Sequence, residues 1–349
     1  MCIRDRERLI RAEGTIQSFG CLNYSGMLYN TGNVRTPLLS MIGGNPLYTN
    51  SVEFVLGQTY ANEEGEIPAI SETASLTAPN PTYVNRGQAT NITQIFQESI
   101  AISYAKQSNM GTLSGANLAG QEANPQSELD FQVARKMDKI ARSIEKTFIQ
   151  GTYNKATKDS EVNKTRGLIS AITTNVKDLK GEALDMWAIN DMLVKMKSNG
   201  ADISALTLWA TSIQISQING SAIEAGFEVG TPYKNEFGIR ITDVICPAGT
   251  VHMAEGEFLP EGTALVLNIP AIHPVEQPVP DKGNFFLEDL AKTGAGEKKQ
   301  IFGQIGLDYG MEHLHGKFTG IKTTFTKPAG RKVVTVTNTT ATNTTEQTV

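Results

Sequence analysis

The chain has 349 residues, of which 40% are hydrophobic and only 19% are charged, against roughly 25% charged in typical soluble domains. This length exceeds one small fold and allows two compact lobes or one large domain. The net charge of −5 lacks the basic footprint that binds nucleic-acid phosphates, which disfavours a DNA-reading protein. The low charge indicates that much of the surface is uncharged or buried against partners.

The cysteines and the hydropathy pattern exclude several further classes. Cys2, Cys21 and Cys246 are far apart and form no CxxC pair, which argues against a disulfide framework or a zinc site. No apolar run approaches the roughly 18–20 residues that cross a bilayer, and the opening lacks the apolar core of a signal peptide. We expect an unexported protein without membrane contact. Residues 1–6, MCIRDR, are similar to translated sequencing-adapter DNA and receive no structural weight.

Residues 1–48 are predicted to form an extended N-terminal arm, because their Gly-rich sequence has no sustained helical or strand period. Strand alternation appears in residues 51–60 and again in residues 91–104. The apolar side of the second strand consists of Ile92, Phe96, Ile100 and Ile102. The polar, Pro-containing residues 61–90 between the strands cannot build a core. Because a long hairpin is marginal alone in water, we expect another subunit to support it.

The most regular pattern predicts a long amphipathic helix over residues 126–150. Apolar side chains recur there at steps of three and four residues, which is typical of one buried helix face. That face consists of Leu129, Val133, Met137, Ile140, Ile144 and Phe148. Asn124 and Pro125 supply a cap and a first-turn proline, and Gly151 ends the helix.

The rest of the chain predicts a mixed α/β region. Helical spacing occurs in residues 182–198 and 211–223, and strands are predicted over residues 205–210, 239–247, 250–255, 263–269, 298–309 and 316–324. Trp187 and Trp209 fall on apolar faces, so we expect both in the core. The Thr/Asn-rich tail, residues 333–349, is predicted to be disordered.

No catalytic constellation emerges from the sequence. The GxSxG, HExxH, P-loop and GxGxxG motifs do not occur. His313 and His315, with Glu312, alternate as a metal site requires, but a third placed ligand is lacking, so the signal is weak. His252 and His273 are isolated and are expected in surface or turn positions. We therefore expect no enzyme, no cofactor and no metal.

An acidic cluster marks the tip of the predicted hairpin. Glu63, Glu64 and Glu66 lie there, and Arg86 is the only cation of the tip. The cluster is either a solvated loop or pairs with basic groups of a neighbouring chain. These four residues are the candidate inter-subunit contacts. The first lysine of the chain, Lys106, lies beyond the tip.

Three segments carry a resemblance to a known family: RTPLLSMIG (35–43), NITQIFQESIAIS (91–103) and DFQVARKMDKIARSIEKTFIQG (130–151). They resemble the major capsid proteins of tailed bacteriophages with the HK97-like fold, in particular the SU10-like group. The resemblance implies an α+β fold that starts with the extended N-terminal arm. It divides the remaining chain into an E-loop hairpin (49–108), a peripheral P domain (109–173) with the spine helix 126–150, a mixed α/β axial A domain (174–274), strands that return to the P domain (275–332) and the tail (333–349).

The resemblance implies that the protein would be a major capsid protein that assembles with itself, as hexamers and pentamers, into an icosahedral shell around viral double-stranded DNA. Scaffold, portal and decoration proteins are the further partners implied, and the packaged DNA would be near the wall without sequence-specific binding. The protein would be part of the virion and would assemble in the host cytoplasm. Some members of this fold weld subunits by an isopeptide bond from an E-loop lysine, and the tip predicted here has no lysine.

Two other classes remain open. An encapsulin-like nanocompartment shell has the same fold and encloses enzymes instead of DNA. An enzyme or a secreted adhesin with the Thr-rich tail as a stalk is disfavoured, because catalytic motifs and a signal peptide are lacking.

Overall fold

A computed structural model describes residues 35–60, 67, 69–78, 83–105, 128–224, 233–234 and 240–324. Its helices are α1 (Pro37–Ile42), α2 (Glu72–Ser75), α3 (Glu128–Gln150), α4 (Leu168–Ala171), α5 (Met186–Ser198) and α6 (Ser212–Glu224). Its strands are β1 (Leu47–Tyr48), β2 (Glu53–Tyr60), β3 (Arg86–Ile92), β4 (Gln94–Ser103), β5 (Val176–Asp178), β6 (Leu206–Ala210), β7 (Tyr233–Lys234), β8 (Arg240–Cys246), β9 (Gly249–Glu255), β10 (Ala264–Asn268), β11 (His273–Glu276), β12 (Phe286–Asp289), β13 (Gly296–Asp308) and β14 (Gly316–Thr319).

A five-stranded sheet forms around the long strand β13. Strand β4 pairs antiparallel with one edge of β13, from Gln94 opposite Ile305 to Ser103 opposite Gly296. Strands β12 and β11 follow each other along the opposite edge, and β1 adds in parallel to β11. Even-numbered residues of β4 point to one face, and the three apolar ones among them, Phe96, Ile100 and Ile102, are buried as the alternation predicted.

The spine helix α3 packs on that face of the sheet. Ile140, Ile144 and Phe148 are buried in a core shared with Phe96 and Ile100 of β4. The helix ends at Gly151, which lies back to back with Gly167. A Cβ atom on Gly167 would approach the Gly151 nitrogen to 2.5 Å, so the tight return of the chain beneath the helix requires a glycine there.

A seven-stranded sheet forms the second half, in the order β5-β14-β10-β6-β9-β8-β7. Its central strands β6 and β10 are buried at every residue, and their sequences are correspondingly almost entirely apolar, except for Thr207 and Asn268. Trp209, Leu265 and Leu267 join the core of the spine helix. The opposite face, with Leu208 and Val266, packs against α5 and α6. Helix α5 begins where the Asp185 carboxylate accepts a hydrogen bond from the Ala188 N–H at 2.7 Å.

The structure corrects four of the sequence predictions. Only Asn91 and Ile92 of the predicted strand 91–104 belong to the second strand of the hairpin, β3, whereas residues 94–103 form β4 and pair with β13. The change of pairing partner occurs at Thr93, since β3 ends at Ile92 and β4 begins at Gln94. Trp187 is 57% exposed, because α5 buries the face of Ala188, Ile189 and Met192. Strand β14 belongs to the seven-stranded sheet, not to the sheet of β13.

Met137 is the fourth correction, since it is 40% exposed. It shares the predicted helix face of Ile144, but full burial along this face begins only at Ile140, and Leu129 and Val133 are half-buried. The predicted tail, residues 333–349, lies outside the described residues. Among the helices that the structure describes, none is long and apolar enough to cross a membrane.

Candidate inter-subunit surface

Strands β2 and β3 form a separate two-stranded ribbon. Glu53 lies opposite Ile92 at its base, and Tyr60 lies opposite Arg86 toward its tip. The register shifts between Val55 and Gly57, where the ribbon carries a bulge. Burial falls steadily from base to tip along β3: Ile92 is fully buried, whereas Arg86 is exposed.

Asn91 fixes the base of the ribbon to the body of the protein. Its side-chain nitrogen donates to the Leu307 carbonyl at 2.7 Å and to the Arg166 carbonyl at 3.2 Å. Its side-chain oxygen accepts from the Arg166 N–H at 2.9 Å and from the Ile92 N–H at 3.0 Å. The amide is fully buried and uses both of its polar atoms. A buried polar side chain that is satisfied in this way defines one position of the ribbon relative to β13.

Two further contacts near Asn91 hold the base of the ribbon against the body of the protein. Lys155 pairs with the Glu53 carboxylate at 2.5 Å, and this hydrogen bond is the largest cause that lowers the pKa of Glu53. On the sheet side, a Cβ atom on Gly306 would lie 2.8 Å from the Ile92 carbonyl oxygen and from the Phe54 ring. Glycine at position 306 therefore permits the close approach of the ribbon to β13.

Beyond the strands, the tip of the ribbon exposes large apolar side chains. Ile67 is 96% exposed, Leu76 is 85% exposed and Tyr83 is 82% exposed. Ile70 and Val84 are exposed as well. The short helix α2 between them is capped by the Ser71 hydroxyl, which accepts from the Ala74 N–H at 3.2 Å. We call Ile67, Ile70, Leu76, Tyr83 and Val84 the apolar tip. A single chain leaves this surface in water, which is typical of a surface that binds another protein.

Of the four predicted contact residues, Arg86 alone lies within the described part of the chain, and the role of all four stays a prediction. Glu63, Glu64 and Glu66 lie outside the described residues. Arg86 is exposed at the distal end of β3, opposite Tyr60. Two lysines of the spine helix bind Glu98 of β4: Lys136 at 2.8 Å, and Lys139. These two hydrogen bonds hold the pKa of Glu98 below its usual value.

Two of the side chains considered as metal ligands, those of His315 and Glu312, are hydrogen-bonded within the protein. His315 is fully buried; its Nδ1 accepts from the Asn268 N–H at 3.2 Å, and its Nε2 donates to the Tyr309 carbonyl at 2.7 Å. The Glu312 carboxylate accepts from the backbone N–H groups of Thr173 and Thr174. Among the described residues, no group of three His, Cys, Asp or Glu side chains could hold a metal ion.

Sequence reasoning missed the two most informative features of the ribbon. Asn91 reads as one polar residue between strand residues, although a buried amide at the foot of a long hairpin is a natural anchor. The tip was interpreted as polar because its few apolar residues are scattered among Pro, Asn and Thr, and only the exposure of Ile67 and Leu76 reveals them as a surface.

The fold is similar to solved shell proteins at low sequence identity. The holo-SrpI encapsulin complex from Synechococcus elongatus PCC 7942 aligns with a TM-score of 0.57 and 9% identity over 93% of this chain and 99% of that chain. The cyanophage A-1(L) capsid aligns with a TM-score of 0.58 and 11% identity over 86% and 96%. The capsid of the native GTA particle aligns with a TM-score of 0.52 and 13% identity over 89% and 97%.

These neighbours establish the HK97-like α+β fold predicted from the sequence. No curated protein sequence matches the chain significantly. The ribbon, the spine helix and the two sheets described above fall within the region that matches a family model. That model, described as SU10 major capsid protein, matches residues 11–322, so the chain belongs to the SU10 major capsid protein family.

Proposed function

We propose that this major capsid protein builds the wall of an icosahedral shell around viral double-stranded DNA, with hexamers and pentamers as its capsomers. The observation that carries the proposal is the ribbon, which is anchored at its base and exposes the apolar tip at its far end. A two-stranded ribbon of this length is marginal alone. A second copy of the chain that covers the tip would stabilise it.

The apolar tip is the stronger candidate for the contact energy, compared with the acidic cluster. Burying one large apolar side chain contributes about 1.5–3 kcal/mol, so three such side chains in a neighbour's surface contribute several kcal/mol per subunit. An exposed ion pair of Glu63, Glu64 or Glu66 contributes about 0–1 kcal/mol. Arg86 and the acidic residues then help to select the orientation of the contact, while Ile67, Leu76 and Tyr83 supply most of its affinity.

The proposed division of the chain follows the fold. The ribbon serves as the E-loop within residues 49–108, and the spine helix with the sheet of β13 serves as the P domain (109–173 with 275–332). The strand β4, at the end of the E-loop segment, joins the P-domain sheet. The seven-stranded sheet with α5 and α6 serves as the A domain (174–274). Support comes from the two hydrophobic cores, one around α3 and one around α5. The strand β14 extends the A-domain sheet by residues that the division assigns to the returning segment.

Further partners follow from the same proposal. The shell is assembled in the host cytoplasm with a scaffold and a portal, and decoration proteins bind its outside. The net charge of −5 favours a wall that retains DNA by enclosure and does not bind its phosphates tightly. The protein performs no catalysis in this role.

The second candidate is an encapsulin-like compartment, which the fold similarity to the SrpI encapsulin favours. Particles purified from phage-producing cells and treated with nuclease separate the two. Protected double-stranded DNA inside closed particles supports the viral shell, and particles that enclose protein cargo without DNA contradict it.

The shell is further proposed to be held together without covalent bonds between subunits. No lysine precedes Lys106, so the tip has no amine nucleophile, and the guanidinium of Arg86 stays protonated. Mature particles boiled in SDS under reducing conditions are expected to run near the 37.8 kDa monomer position. A ladder of covalent multimers would contradict this part of the proposal.

A further inference from the structure

Glu145 of the spine helix is a buried carboxyl group that takes no part in the proposed contacts between subunits. Its side chain is fully buried, next to Ile144 in the helix core. Burying a charged carboxylate is costly unless a cation or several hydrogen bonds compensate for it. Within the described part of the chain, no basic side chain pairs with Glu145.

The contacts of this carboxyl come from the start of the fold. Its Oε2 accepts a hydrogen bond from the Leu39 N–H of α1 at 3.1 Å. Its Oε1 is buried and has no hydrogen-bond partner. Helix α1 lies on the spine helix through Leu38 and Ile42, both of which are buried in the same core. Displacement of α1 is therefore the movement that opens this carboxyl to water.

Few charges face Glu145 from the surrounding elements. Helices α1 and α4 carry no titratable side chain, and β13 contributes Ile301 and Ile305 to the shared core. Glu98 of β4 is bound by Lys136 and Lys139. The spine helix itself carries Arg142 and Lys146, of which Lys146 is exposed.

Beyond the end of β9, Glu257 adds a negative charge that opposes ionisation of Glu145. Glu257 is paired with Arg35, just before α1, at 2.8 Å, and the same guanidinium reaches Glu255 at 3.5 Å. The segment that covers Glu145 is thus held by the burial of Leu38 and Ile42, by an exposed ion pair and by the Leu39 hydrogen bond. The ion pair and the hydrogen bond each contribute little in comparison with the packed side chains.

We propose that Glu145 is a proton-controlled latch: in its neutral form it holds residues 35–42 on the spine helix, and in its ionised form it loosens them. The neutral carboxyl loses little solvation when buried. The ionised carboxylate has one oxygen without a partner and gains hydration when α1 moves away. Residues 35–42 lie within the predicted N-terminal arm (1–48), so the latch controls how firmly this part of the arm is attached to the spine helix.

The pH range of the latch lies near neutrality. Burial raises the pKa of Glu145 from 4.5 to about 7, against the hydrogen bonds from Leu39 and Leu38, and Glu257 raises it further. A group whose pKa is raised in the docked state stabilises docking fully below pH 4.5 and loses this contribution as the pH rises through 7. Opening of the segment is therefore expected to increase on the order of 10-fold between about pH 5.5 and about pH 8.

Hydrogen exchange with mass spectrometry on the full chain, in a single assembly state verified by sedimentation, measures this opening. Peptides that cover residues 35–42 are compared at about pH 5.5 and about pH 8, after correction for intrinsic exchange. In the wild type, the protection of these peptides is expected to fall on the order of 10-fold from the lower to the higher pH. Glu145→Gln keeps the shape and removes the titration, so the two pH values should give equal protection.

Two further variants make the outcome decisive. Glu261→Gln changes an exposed carboxylate and is expected to keep the wild-type response. Glu145→Leu removes the titration without a buried amide, so it replaces Glu145→Gln if that variant does not fold. Equal wild-type protection at both pH values would overturn the proposal. So would a response that persists in the Glu145 variants, or one spread evenly over all peptides.

Discussion

The base and the tip of the ribbon carry similar apolar residues in opposite surroundings. At the base, Ile92 is fully buried, and Asn91 beside it makes three hydrogen bonds to Arg166 and Leu307 in the body of the protein. At the tip, Ile67 and Leu76 are almost fully exposed. The first region stabilises the folded subunit, and the second can be stabilised only by another molecule. The difference separates residues that determine folding from residues that determine assembly.

The largest expected effect comes from a substitution in the buried region that determines folding. Ile144→Asp places an unpaired carboxylate in the core of the spine helix, where Ile144 is 4% exposed. The free energy of unfolding is expected to fall by about 4 kcal/mol or more, and the protein should misfold before it assembles. Urea unfolding of the unassembled protein, followed by circular dichroism, measures the loss.

Lys146→Ser is the matched control on the same helix, because Lys146 is exposed. Its unfolding midpoint should stay within the error of the wild type. Lys139 does not serve as this control, since the structure pairs it with Glu98. Equal stability of the Ile144 and Lys146 variants would show that the buried face of α3 is assigned wrongly.

A second prediction concerns His315, a buried polar anchor that titrates. Burial lowers the pKa of His315 from 6.5 to about 4. The unfolded chain therefore binds the proton more readily, and stability is lost as the pH falls from about 6.5 toward 4, by about 3 kcal/mol in total. Unfolding by urea at several pH values tests this, with His315→Gln as the comparison. A wild-type loss in this range that the variant shows equally would count against the assignment.

A third prediction tests the base of the ribbon. Asn91→Ala leaves the Leu307 carbonyl and the Arg166 backbone groups without their partner, and we expect a loss of about 2–3 kcal/mol. Protection from hydrogen exchange should fall first in β2 and β3. Gln88→Ala, at an exposed position of β3, is the control and should be nearly neutral. If both variants lost the same stability, Asn91 would not be the anchor.

Local periodicity predicted much of this fold. The alternation in residues 91–104 identified the buried side of β4, and the three- and four-residue steps identified Ile140, Ile144 and Phe148 of α3. Strand partners and the limits of coverage depend on distant parts of the chain. For that reason the pairing of β4 with β13, the exposure of Met137 and the exposure of Trp187 were not predicted.

The position of the candidate surface was predicted from the sequence, but the apolar character of its exposed residues was not. The sequence placed a hairpin tip that needs a partner, but its acidic residues drew attention away from Ile67 and Leu76. Glu145 escaped notice because one glutamate beside an apolar stripe is ordinary on an amphipathic helix. Only its full burial, with one oxygen left unpartnered, distinguishes it.

The most direct test of the account is the assembly of a tip variant, Ile67→Ser with Leu76→Ser, measured by sedimentation velocity under conditions in which the wild type forms particles. Both side chains are exposed in the single chain, so the unfolding free energy should change by less than about 0.5 kcal/mol. Val162→Ser, at an apolar residue that is 60% exposed in another loop, is the control and should assemble normally. The account predicts a folded double variant that stays unassembled. A double variant that forms particles as readily as the wild type would contradict it.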